Sequence, residues 1–126
     1  MKIKFLGATH QVTGSSYQIE TAKIKILIDC GMFQEHDYSH RNWEAFPIPP
    51  NQIQYILLTR VHQDHSGRIP KFVKEGFHGE ILLTPASKEL FPIVILDSAR
   101  IQEEYAAFKK HPNNDEEQKE PIRALR

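Results

Sequence analysis

This sequence predicts an α/β domain, and two observations carry the prediction. Short apolar or alternating runs end in turn-forming residues: Ile24-Lys25-Ile26-Leu27-Ile28 stops at Asp29-Cys30-Gly31, and Tyr55-Ile56-Leu57-Leu58 stops at Thr59. Between and after them come segments with helix punctuation and helical apolar spacing, around Pro70 and from Ser87 onward. A chain of 126 residues, 40% apolar and 25% charged, has the make-up of one soluble domain with a modest core.

In chain order, residues 2–6 alternate charged and apolar side chains and stop at Gly7, which predicts a first strand and not a signal peptide. Residues 16–20 and 23–28 flank a tight Glu20-Thr21-Ala22 turn and should pair as a hairpin, with Ile24, Ile26 and Ile28 on one face. Residues 32–50 are polar, with Trp43 and three prolines, so a long loop is expected with a short helix near residues 38–44. Residues 54–58 predict a buried strand whose carboxyl end opens into the loop 59–65. Pro70 suits a first helical turn and Gly76 a C-terminal stop, which places a helix at about 67–75. Residues 80–84 predict another strand. Residues 87–110 have an apolar stripe of Ile93, Leu96, Ile101, Tyr105 and Phe108, with Pro92 expected to kink or restart the helix. The domain is thus placed at 1–110, with the charge-rich 111–126 as a solvated tail or linker.

Composition narrows the function. A formal net charge of zero and a pI of about 7.1 give no electrostatic footprint, so nucleic-acid binding by this chain alone is not expected. No stretch approaches a membrane span. A single cysteine, Cys30, cannot form an internal disulfide, which fits a reducing, cytoplasmic setting.

The chemistry is concentrated in Thr59-Arg60-Val61-His62-Gln63-Asp64-His65-Ser66-Gly67. With His at position 60 this would be H-x-H-x-D-H, a loop that can present ligands to two cations. Arg60 instead offers a guanidinium, which has no lone pair to give and keeps its proton. Spacing alone leaves the bland reading open, in which His62 and His65 are ordinary polar loop residues beside an Asp.

Several further motifs occur in order with this loop: Phe5-Leu6-Gly7-Ala8-Thr9 through Val12-Thr13-Gly14-Ser15, then Leu27-Ile28-Asp29-Cys30-Gly31-Met32-Phe33-Gln34, then Leu57-Leu58-Thr59, then Leu96-Asp97-Ser98-Ala99-Arg100-Ile101-Gln102-Glu103-Glu104. Together they resemble the amino-terminal part of a metallo-β-lactamase-fold protein of the β-CASP branch, which includes RNA-processing nucleases of the cleavage-and-polyadenylation type. The resemblance implies the first half of a four-layer α/β/β/α sandwich, a mixed sheet with helices on one face. It also implies zinc as cofactor: position 60 and His62 would bind one metal, Asp64 and His65 a second, and Asp29 would support them by hydrogen bonding. The metal pair would lower the pKa of a bound water and clamp phosphate oxygens during phosphodiester hydrolysis. The family's later ligands and inserted cleft domain have no counterpart in the sequence.

These departures imply a partial site, His62, Asp64 and His65, with zinc absent or weakly held and the chain catalytically inactive. Asp64 is then an ancestral catalytic residue only. Arg60 is expected to pair with Asp29 or Asp64 in place of a metal, so that Arg60→Ala destabilises the fold. Two other function classes stay open: a metal-dependent phosphodiesterase completed by another chain or by further sequence, and a small interaction or anion-binding module using Arg60 and the loop histidines. Strands apolar on both sides imply a homodimer or a missing partner half. Cys30 reads as a buried apolar residue, the segment 7–15 as a strand connection, and His10, His36, His40, His78 and His111 as solvated. Trp43 and Phe46 read as packing under the long loop.

Overall fold

In the computed structural model, which describes residues 1–109, β1 (Lys2–Gly7), β2 (Ser16–Glu20) and β3 (Lys25–Ile28) pair antiparallel in sequence. β4 (Tyr55–Leu57) and β5 (Glu80–Leu82) then add in parallel, giving the order β1-β2-β3-β4-β5. The sheet is therefore mixed, as the sequence predicts. The β2–β3 hairpin is closed by Thr21, whose hydroxyl accepts from the backbone N–H of Lys23 and Ile24. That turn absorbs residues 23 and 24, so β3 starts later than its apolar pattern suggests. The tail expected at 111–126, and His111 with it, lie outside the described residues.

The register sorts the side chains by face. Leu27 and Ile56 are aligned neighbours on β3 and β4, and both are buried in a cluster with Cys30, Ile69, Phe72 and Phe77. Helix α2 (Ile69–Lys74) supplies Ile69 and Phe72, while Phe91 and Val94 of α3 (Pro85–Lys109) pack against the same cluster. The opposite face consists of two cross-strand rungs, Ile3-Ile19-Ile26-Tyr55 and Phe5-Tyr17-Ile28-Leu57-Leu82. All nine are half-buried or exposed, although Phe5 and Tyr17 meet edge to face at 5.7 Å between ring centroids.

The helix placed at about 67–75 is present as α2, and part of the expected loop 59–65 is wound into a four-residue turn, α1 (Gln63–Ser66), ahead of it. The Ser66 hydroxyl bonds back to the carbonyls of Val61 and His62, and this back-bonding ends that turn. α3 starts at Pro85, where the Thr84 hydroxyl accepts from the Ser87 N–H, and it runs unbroken through Pro92. Pro92 and Lys88, whose carbonyl it cannot satisfy, are both exposed, so water can take the orphaned carbonyl. The apolar stripe is also rotated: Phe91 and Val94 face the core, whereas Ile93 and Leu96 are largely exposed. The short helix near residues 38–44 exists as a single 3₁₀ turn, Ser39–Asn42.

Candidate functional site

Three loops meet at the carboxyl ends of β3 and β4. Backbone hydrogen bonds tie them: Ser15 N–H to Asp64 O, Gly31 N–H to Ser15 O, Cys30 N–H to His65 O and Met32 N–H to Gln63 O, all between 2.8 and 3.0 Å. The approach is so close at Gly31 that a Cβ there would sit 1.7 Å from the Asp64 carbonyl oxygen. Glycine is the residue that permits this contact.

Asp29 is the hub. Its backbone takes a left-handed conformation, φ +59°, a strained state that Asp tolerates better than most residues. This turns its buried carboxylate toward the β4 end, where Oδ1 accepts from the Thr59 N–H at 2.8 Å and Oδ2 from the Thr59 hydroxyl at 2.7 Å. His65 Nδ1 lies 2.7 Å from Oδ2, and the Ser15 hydroxyl donates to it at 3.4 Å. The other imidazole nitrogen, Nε2, is 3.3 Å from Asp64 Oδ2. Arg60 Nη2 reaches the same Asp64 oxygen at 3.4 Å. The result is a chain from the buried Asp29 through His65 and Asp64 to Arg60 at the surface.

The structure therefore brings together Asp29, His65, Asp64 and Arg60, and leaves His62 apart. His62 is exposed and caps the four-residue α1 with its backbone only. Arg60 takes Asp64 as its partner, since Thr59 and His65 already fill Asp29. Among the described residues no group of three or more His, Cys, Asp or Glu side chains is placed to hold a metal ion. Arg60 is the residue that does not fit a metal centre, since its guanidinium has no lone pair to give and engages an Asp64 oxygen, whereas the Asp29 contact to His65 Nδ1 is of the kind that orients a metal-binding imidazole.

Two participants escaped the sequence reading. Thr59 supplies two of the donors that orient Asp29, and its only sequence signal is a hydroxyl residue directly after a strand. Glu35 clasps the preceding loop: its carboxylate accepts from the N–H groups of Val12 and Thr13 at 3.0 and 2.9 Å, and from the Thr13 hydroxyl. Partial burial pushes its pKa up, but the hydrogen bonds from Thr13 and Val12 outweigh this and hold it down at about 2. Cys30 is fully buried, and burial drives its thiol up to about 12, which agrees with a packing role. His10, His36, His40 and His78 are exposed. Phe46 packs edge to face on Phe72 at 4.8 Å, but Trp43 stands 66% exposed and does not pack under the loop.

The loops at the carboxyl ends of two parallel strands thus gather a buried Asp, a His and a second Asp at the place where α/β sheets bind their ligands. The model of the metallo-beta-lactamase superfamily matches residues 11–121, and the chain belongs to that superfamily, a zinc-dependent one. Its homologues are RNA-processing nucleases of the β-CASP branch, each matched over part of its length. Ribonuclease TTHA0252 of Thermus thermophilus is 38% identical over 104 residues, 82% of this chain and 24% of that protein. Probable RNase MJ4 of Methanocaldococcus jannaschii is 32% identical over 126 residues, 98% of this chain and 28% of that protein. The chain thus spans about a quarter of the length of these relatives. A solved metallo-beta-lactamase of Cronobacter sakazakii with a HARLDQ motif superposes with a TM-score of 0.51 at 24% identity, over 70% of this chain and 30% of that one, which shows a shared fold.

Proposed function

We propose that this chain is the amino-terminal, site-bearing segment of a metallo-β-lactamase-fold RNA-processing hydrolase in which Arg60 has taken the place of the first metal ligand, leaving the chain catalytically inactive. The observation that carries the reading is the 3.4 Å contact between Arg60 Nη2 and Asp64 Oδ2. A fixed guanidinium bound to a carboxylate repels a dication brought to that carboxylate, and His62 alone is too few ligands for a catalytic zinc. Asp29 then serves as a support for His65 with no metal to orient.

The test is zinc content and hydrolysis together. Purified without chelator, the protein should carry under about a tenth of an equivalent of zinc, since a working site would exceed that occupancy. Arg60→His should gain zinc but no phosphodiesterase activity on RNA. Near-stoichiometric zinc in the unaltered chain, with chelator-sensitive RNA cleavage, would overturn the proposal and support the second reading, an active enzyme completed by another chain or by further sequence.

That second reading is favoured by the two apolar rungs, in which Ile3, Phe5 and Leu82 are exposed and the other six residues are half-buried. We infer that a second copy of the chain or a complementary half packs on this face, as sheet faces of this kind pack on other sheets. A monomer by light scattering at high concentration, with no added partner, would count against it. No described helix is long and apolar enough to cross a membrane. The lone buried Cys30 supports placement in the reducing cytoplasm.

A further inference from the structure

A second candidate site lies away from the Asp29 cluster. A cavity of about 80 Å³ is lined by Met32, Trp43, Arg68, Lys71, Ser98 and Ala99, among others. On this measure one water needs roughly 10–15 Å³, so the space holds a group of several heavy atoms.

Arg68 makes the cavity unusual. It is only 6% exposed, and its guanidinium carbon sits 4.7 Å from the Phe33 ring centroid and 5.1 Å from that of Phe46. Its Nε donates to the Gly31 carbonyl. Among the described residues neither Nη nitrogen has a hydrogen-bond acceptor and no carboxylate forms an ion pair with the group. Burial lowers its pKa and the nearby Arg41 adds to this, but a guanidinium remains charged at neutral pH. Arg41 stacks on the same Phe33 ring at 4.5 Å and also has no carboxylate partner among the described residues. Lys71 adds no free charge, because Glu75 pairs with it at 3.0 Å and the Glu44 carbonyl accepts from it. Two uncompensated guanidiniums thus flank one ring, and the more buried of them lines an open space.

A largely desolvated charge without a counter-ion carries a cost, and an anion in the cavity would reduce it. The paired Nη groups of an arginine match the oxygen spacing of a phosphate. Trp43, another lining residue, is largely exposed and offers a ring face on which a base can stack. We propose that this cavity binds a phosphate group, free or as the terminal phosphate of a nucleotide, with the Nη nitrogens of Arg68 as its donors and Trp43 beside it. The site shares no side chain with the Asp29–His65–Asp64–Arg60 chain, so it stands or falls independently of the inactivity argued above.

Trp43 is the sole tryptophan of the sequence, so its fluorescence reports directly on the site. The purified chain is titrated with inorganic phosphate and, separately, with AMP, at an ionic strength held constant with chloride. Both should give a saturable fluorescence change and a rise of several degrees in melting temperature. Tighter binding of AMP assigns the ligand as a nucleotide, and equal binding assigns it as free phosphate. Ala99→Leu fills the cavity from an exposed position on α3 and should abolish the response, as should Arg68→Met; Arg60→Ala should preserve it. If Arg68→Met does not fold, Ala99→Leu decides. No saturable response to either anion overturns the proposal, and so does a response that survives Ala99→Leu but disappears in Arg60→Ala.

Discussion

The two ends of the Asp29–His65–Asp64–Arg60 chain are held very differently. At the inner end the Asp29 carboxylate is buried, accepts from three separate residues, and is presented by a backbone in the left-handed region. At the outer end Arg60 has a side chain 55% exposed and a single carboxylate contact, although Asp64 beneath it is only 16% exposed. The inner end is therefore part of the fold's own hydrogen bonding, while the outer end is decided by one solvent-facing residue. In such a loop the chemistry can be altered at position 60 with little disturbance to the scaffold.

The largest effect should come from the inner end. Asp29→Ala strips Thr59 and His65 of their acceptor and leaves a non-polar residue at positive φ, and should cost about 3–5 kcal/mol. Urea denaturation measures it, and a loss under about 1 kcal/mol would erase the contrast between the ends. The clasp beside it gives an intermediate, pH-dependent effect. Glu35 has a folded pKa of about 2 against an ordinary 4.5, so its contribution is complete above pH 4.5 and fades as pH falls through about 2. The melting-temperature advantage of the wild type over Glu35→Gln should accordingly shrink across that window. An advantage constant with pH would remove Glu35 as the clasp.

The smallest effect belongs to Arg60→Ala, which should cost under about 1 kcal/mol because an exposed ion pair is screened and entropically loose. This revises the sequence-based expectation that the arginine substitutes structurally for a metal: its position agrees, but its exposure limits its energetic weight. A loss of several kcal/mol would restore the original view and make the two ends equivalent.

Much of this was legible in the sequence, and for physical reasons. Five strands could be found because period-two patterning and turn residues are local signals, Asp64 and His65 could be singled out by their spacing in one short loop, and Asp29 by the family motif around it. The Thr59 role was not legible, since it depends on the parallel pairing of Ile28 with Leu57 and on the positive φ of Asp29, neither of which is local. Nor could the inward face of α3 be chosen. Leu90, Ile93 and Leu96 compete with Phe91 and Val94 for it, and only packing against the buried cluster decides. Arg68 gave no signal, because a charged residue before a helix ordinarily points to solvent.

The order of the strands has a consequence for how the chain comes together. Each strand lies beside the one made just before it, so no strand has to be threaded later between two that are already paired. During synthesis the sheet can grow from one edge to the other as residues emerge, with loop closure kept short for the hairpin and lengthening only at the two parallel additions. Nascent β1 to β3 would form first, and the assembly of the strand-end loops would wait on β4.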